Sequence, residues 1–448
     1  MSRTADDDGE DAAIATALLD LSVDDEGVAR QAEAALGSLT WGQGIEAITQ
    51  DRIQHFLWYE LPLKWITSLD DRLDMAESLA RALDLLGLRR YAAICRSPDT
   101  GHILEAYDRD PEEGLAAFRR ANAASGIHPP DLPEFQWGAM MGPVEAAAFT
   151  SAAEFLELAV SGGDLVPSTR GWKIRQQALV RAHLGAPEEA LGTQTLLQAI
   201  QTERLQRWID GGRSEVRRKA LASIANRILY PVALPPGVTD ASFSLRWLLE
   251  QLVEGVSLTQ TGNLGQKFVQ GAASRFGWDF PSPPRTEDDL FELHLVRHFA
   301  QRLGFARRSA RRLVLTARGR EALREPEQLW RCAAGGLIGR DPFLALAGEL
   351  CLAVLVDVEV MSASAIRANI FAAACEAGFR DNRTGDPPAD GAVSWALHET
   401  LNLCRALGLL SVGGGWKDRD YGLTSVGKAT ALEALRARGT RPRSKPWE

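Results

Sequence analysis

The chain has 448 residues, 45% apolar and 24% charged, ordinary globular values that provide for two to four domains with real cores. No uncharged apolar run reaches the roughly 18 residues a membrane-spanning helix needs, and the acidic start Met1–Glu10 does not read as a secretory signal. The five cysteines (Cys95, Cys332, Cys351, Cys375 and Cys404) are odd in number and far apart, which argues against a disulfide framework or a zinc knuckle and gives the expectation of a cytoplasmic protein.

The net charge of −9 is concentrated at the N-terminus. Residues 1–37 hold Asp6, Asp7, Asp8, Glu10, Asp11, Asp20, Asp24, Asp25, Glu26 and Glu33 against Arg3 and Arg30, which leaves the rest of the chain near neutral. That stretch reads as an acidic, flexible arm. Helical patterning follows over residues 38–233. Ile53, Phe56, Leu57, Leu61 and Trp65 recur at helical spacing, with Pro62 interrupting them. Met75–Leu86 reads as an amphipathic helix capped by Gly87, and Glu145–Val160 as an Ala-rich helix closed by Gly162 and Gly163. His128–Pro133 is a loop, and the crowding of Pro231, Pro235, Pro236 and Gly237 predicts the main domain boundary.

The second half contains an internal repeat. One copy runs Leu303-Gly304-Phe305, a basic stretch, Leu313-Val314-Leu315-Thr316, then Gly319 and Leu323. The other runs Leu407-Gly408-Leu409, a Gly-rich stretch, Tyr421-Gly422-Leu423-Thr424, then Gly427 and Leu432. Each reads as a helix ended by Gly, a two-stranded hairpin, and a second helix capped by Thr. Both copies resemble the winged-helix pattern, whose hairpin is the wing. The segment Ser257–Trp330 also resembles helical segments of uncharacterised actinobacterial proteins, some of them linked to mobile elements. That resemblance implies a fold and no chemistry. The expected architecture is mainly α: a helical domain at 38–233, winged-helix-like units at 240–330 and 345–438, and a basic tail at 439–448. A looser third copy, Leu165–Trp172, has Pro167 where a strand would run.

No phosphate-binding Gly-rich loop, nucleophile elbow or zinc-protease motif is present, so no enzyme activity, cofactor or metal is expected. His294 and His298 share a helix face but have no visible third ligand, and Asp357 and Glu359 read as the polar edge of an apolar helix. Trp58, Tyr59 and Trp65 with Arg52 and Lys64 suggest a stacking platform for bases, weighed against plain packing. The strongest binding candidates are Arg307, Arg308, Arg311 and Arg312 at the first wing, with Lys417 and Arg419 at the second. Arginines on a wing reach the DNA backbone or minor groove. The expectation is therefore a non-enzymatic DNA-binding or regulatory protein with double-stranded DNA as partner. The alternative is a helical protein-interaction scaffold or small-ligand sensor with no nucleic acid partner, which would hold a protein partner, a second copy of itself or a ligand through the aromatic-rich N-terminal domain.

Overall fold

A computed structural model describes residues 7–65, 67–188, 192–239, 243–278, 283–414 and 419–444. The chain is mainly helical, with two small three-stranded antiparallel sheets. It divides into two compact units, one of Met1–Trp137 and Met141–Ile200, the other of Gly138–Met140 and Gln201–Glu448.

The first unit begins with α1 (Asp7–Asp24) and α2 (Glu26–Thr40). Asp25 caps α2, its carboxylate accepting from the N–H groups of Gly27 and Val28. Ala17, Leu21, Ala29, Ala32, Leu36 and Leu39 recur at helical spacing and are all buried. Over residues 7–37 this corrects the reading of a flexible arm. Asp20, Asp24, Asp25, Glu26 and Glu33 are exposed, while the other side of these helices belongs to the core.

Next, α3 (Gln50–His55) continues through one π turn, Phe56–Glu60, into α4 (Leu61–Lys64). Pro62 lacks an N–H and would crowd the carbonyl one turn back, and the helix absorbs it by widening, with Leu61 N–H donating to the Phe56 carbonyl. A capping box of Ser68 and Asp71 opens α5 (Leu69–Leu85), and Gly87, at φ +77°, follows its end as expected. Then come α6 (Arg89–Cys95), α7 (Pro98–Arg109), α8 (Pro111–Ala124), α9 (Pro143–Ser161) and α10 (Trp172–Gly185). Glu157 on α9 is buried and accepts from the Gln50 N–H at 2.9 Å, the Tyr91 hydroxyl at 2.6 Å and Arg90 at 3.3 Å, so it ties α3, α6 and α9 together. Residues 162–171 are turns without a strand, so the third hairpin is absent there.

The second unit is entered through α11 (Leu196–Asp210), α12 (Glu215–Ala222), α13 (Ala225–Ile228) and α14 (Pro236–Thr239). Leu205, Trp208, Leu221, Ile224 and Ile228 share one core with the repeats, so the division falls near residue 200 and not at the proline-rich stretch 231–237.

The repeat is now explicit. The first copy is α15 (Ser244–Gln251), β1 (Val256–Ser257), α16 (Gln266–Phe276), α17 (Phe291–Arg302), β2 (Ala306–Ser309), β3 (Arg312–Leu315) and α18 (Ala317–Arg324), followed by α19 (Pro326–Leu337). The second is α20 (Pro342–Asp357), β4 (Met361–Ser362), α21 (Ala363–Glu376), α22 (Asp390–Ala406), β5 (Leu410–Gly414), β6 (Arg419–Leu423) and α23 (Ser425–Gly439). Sheet order is β1-β3-β2 in one and β4-β6-β5 in the other.

The sequence signature has the same cause in both copies. Gly304 (φ +72°) and Gly408 (φ +71°) leave their helices in the left-handed conformation, and the next N–H reaches back to the carbonyl of Ala300 or Cys404. Thr316 and Thr424 cap the following helices by accepting from the Gly319 and Gly427 N–H groups, each at 3.0 Å. A Cβ on Gly319 would lie 2.3 Å from the Phe305 carbonyl oxygen, and one on Gly427 2.0 Å from that of Leu409. Only glycine fits where the helix N-terminus crosses the hairpin's first strand. Phe299, Phe305, Trp330, Leu350, Ile370, Leu397 and Leu435 belong to a single apolar core, so the two copies do not have separate interiors.

Candidate functional site

The first hairpin aligns Arg307 with Val314, Arg308 with Leu313 and Ser309 with Arg312, leaving Ala310 and Arg311 as a two-residue tip. Leu313 and Leu315 turn into the core while Arg307, Arg308, Arg311 and Arg312 are all exposed. The tip is tight: Ala310 sits at φ +51°, a conformation that favours glycine. Two of the arginines are partly engaged by backbone. Arg308 donates through Nε to the Ala310 carbonyl at 3.1 Å, and Arg312 donates to the carbonyls of Glu254 and Gly255 at 2.6 and 3.0 Å. Among the described residues none of the four forms an ion pair. At the second hairpin Arg419 is exposed opposite Gly414. Lys417 lies outside the described residues, so the structure brings together the four arginines of the first hairpin and places Arg419 alone on the second.

The third helices of the two copies are not free. α17 packs against α22, and Arg405 binds Glu292 at 2.9 Å across the pair. The exposed residues of α22 beyond its first turn include Trp395, His398 and Glu399, with no exposed Lys or Arg among them.

Other charges have structural tasks. Arg217, within a basic run of the sequence, is buried. Its Nε binds Glu349 at 2.7 Å, it donates to the Trp208 and Gly211 carbonyls, and its guanidinium lies over the Trp208 ring. Glu349 also accepts from Arg438 at 3.0 Å. Arg436 is buried against the carbonyls of Ile228 and Leu229, and Arg441 donates to Gly335 at 3.2 Å, so the described part of the basic tail is docked through its arginines. Asp357 and Glu359 are exposed, as a polar edge requires. Buried carboxylates of the two repeats include instead Glu349 and Glu287. Glu287 holds Arg297 at 2.6 Å and the Leu264 N–H at 2.7 Å. Glu287 lies in the acidic run Glu287-Asp288-Asp289 and Glu349 in the middle of the apolar α20, and neither local pattern names the arginine that each carboxylate meets.

The stacking platform is corrected as well. Trp58 is 2% exposed and donates its indole N–H to Thr100 at 2.8 Å, Arg52 binds the Leu39 carbonyl, and Lys64 pairs with Glu60. His294 and His298 have ring centroids 4.3 Å apart, and no metal-binding group of three ligands occurs among the described residues.

Two clefts escaped the sequence reading because each collects residues far apart in the chain. One in the first unit, of about 480 Å³, is lined by Asp51, His55, Phe118, Arg119, Asn122 and His128 among others. Burial holds the His128 imidazole below the ordinary histidine range, against the pull of Asp51 and Asp131. The other, of about 300 Å³, opens between α17 and α22 in the second unit. No protein-family model, curated protein or solved structure matches this chain.

Proposed function

We propose that the protein is a non-enzymatic DNA-binding protein whose second unit carries two winged-helix units, and that the first wing supplies its affinity through phosphate contacts. The observation that carries this reading is the β2–β3 hairpin, with four exposed arginines within six consecutive positions and no ion pair on any of them among the described residues. The packing of α17 on α22 favours backbone contact over base readout, because the helix that would enter a major groove is occupied. The test is a mobility shift on random duplex across a salt series. Arg307 and Arg311 make no side-chain hydrogen bond among the described residues, so replacing both with Ala leaves the hairpin intact. That double variant flattens the slope of log affinity against log salt by about 2 units, and Arg307, Arg308, Arg311 and Arg312 together by about 3–4. Failure of the wild type to bind at micromolar concentration and low salt overturns the reading.

A second reading, a small-ligand sensor, is favoured by the cleft between the two third helices, where a bound molecule would touch both repeats at once.

A further inference from the structure

The α17–α22 cleft combines a greasy floor with one under-used cation. Leu295, Phe299, Leu337, Leu344 and Leu403 supply apolar surface from four elements or their ends. Arg302, the last residue of α17, stands at the rim. Its guanidinium lies over the Phe299 ring, 5.1 Å from the centroid, and donates to the Gly336 carbonyl at 2.9 Å. It forms no ion pair within 4.0 Å among the described residues, although Glu399 on the facing helix acts on it electrostatically. Burial against the ring holds the Arg302 pKa below the ordinary arginine value, with Glu399 opposing that shift.

His298 sits one turn before Arg302 and also lines the cleft. Burial holds its imidazole below the ordinary range, and His294 and Arg297 push in the same direction while Glu287 opposes them. The polar end of the cleft therefore has a positive charge without an ion-pair partner among the described residues and an imidazole held toward its neutral form, whose pKa a neighbouring anion would raise. A few convergent polar groups above an apolar pocket of this volume are the ordinary make-up of a small-molecule site.

We propose that this cleft binds a small carboxylic acid with an unbranched apolar body, the carboxylate meeting Arg302 and the body lying on the leucines and Phe299. The inference deepens the sensor reading. Glu399 is the competitor for Arg302, and an incoming carboxylate displaces its influence. A ligand cation would use Glu399 the other way round, so that one residue decides the sign of the ligand's charge. A body of about eight carbon atoms suits a cleft of this size.

The experiment titrates the full chain with octanoate, octanol and octylamine by calorimetry. Octanoate is expected to bind saturably at one site and the two other probes at least tenfold more weakly. Arg302→Gln weakens octanoate at least tenfold, and Glu399→Gln tightens it severalfold. Neither Arg302 nor Glu399 belongs to the apolar core, so both variants keep it. The proton spectrum of the histidines adds a readout that mere packing would not move: octanoate raises the His298 pKa in the wild type and not in Arg302→Gln. Absence of saturable octanoate binding at millimolar concentration, equal binding of octanol, or weaker binding by Glu399→Gln each overturns the inference. If octanoate binds as described but leaves hydrogen exchange in α17 and α22 unchanged, the carboxylate site stands and the sensor reading falls, because a sensor must pass the binding event on to the elements it bridges.

Discussion

The two hairpin-bearing copies of the second unit share their element order, sheet order and glycine signature, yet they differ in what they present. The first ends in a two-residue tip with Ala310 in the left-handed region and four exposed arginines around it. The second widens to five-residue strands whose described end carries Gly413, Gly414 and Arg419. Their buried carboxylates differ too. Glu287 braces Arg297 and the 262–264 loop inside its own copy, whereas Glu349 braces Arg217 of α12 and Arg438 of α23. The first copy is internally clamped and externally basic. The second is clamped within itself through Arg438 and to α12 outside it through Arg217. A repeated backbone thus fixes shape in both places and chemistry in neither, and only side chains outside the signature set the arginine-bearing hairpin apart from its counterpart.

The largest expected effect concerns the clamps. Glu349→Gln leaves the buried Arg217 without its counter-charge and should cost about 3 kcal/mol or more in urea unfolding. Its loss should raise hydrogen exchange in α11, α12 and α23 together. Glu287→Gln should be comparable in size but confined to the first copy, with exchange rising around residues 258–264. Equal, global effects from both would erase the distinction drawn here.

Next come the signature glycines. Gly319→Ala and Gly427→Ala both drive a Cβ into a backbone carbonyl and should each lower stability by about 2–3 kcal/mol, with Gly427 at least as sensitive because its approach is closer. A tolerated alanine at either position would show that the two copies do not obey one packing rule.

The tips should respond in opposite directions. Ala310→Gly relieves a left-handed residue and should raise stability by about 0.5–1 kcal/mol, read as a higher thermal midpoint. Gly414→Ala, at φ +79° with its Cβ 2.9 Å from the Asp420 nitrogen, should lower stability by about 1 kcal/mol or more.

The smallest effect is a pH dependence. His298 in the first copy has its pKa lowered in the folded state, chiefly by burial, from the ordinary value of 6.5. Above that value both folded and unfolded chains hold it neutral and its contribution is fully present. As pH falls below it the unfolded chain takes up the proton first, and stability is lost. Thermal melts from pH 8 to 5 should show this decline, and His298→Gln should reduce it. His128 and His183 in the first unit are shifted in the same direction by burial, so a remaining slope in that variant is expected.

Much of the repeat was legible in the chain because its rules are local. A glycine must end each helix, a threonine must cap the next, and a second glycine must pass a carbonyl three residues later. Each requirement selects one residue type at one spacing, so Gly304, Thr316 and Gly319 could be matched to Gly408, Thr424 and Gly427 before any contact was known. The alternation that exposes Arg307 and faces Leu313 inward is local in the same sense. The acidic N-terminus misled because charge density was weighed above periodicity: Ala32, Leu36 and Leu39 already had helical spacing, and burial of that side is what the tertiary structure adds.

What the sequence determined by itself is therefore the helical class, the two hairpins and the place of their arginines, all set by interactions within about twenty residues. The tertiary structure decided which arginines remain available and which are consumed. Arg217 meets Glu349 across 132 positions and Arg436 reaches carbonyls 207 and 208 positions away, pairings that no local pattern encodes. It also decided that α17 would face α22, since that packing depends on complementary surfaces folding together and not on the propensity of either helix. Availability of charge and closure of a cleft are properties of pairs distant in the chain, and packing alone selects those pairs.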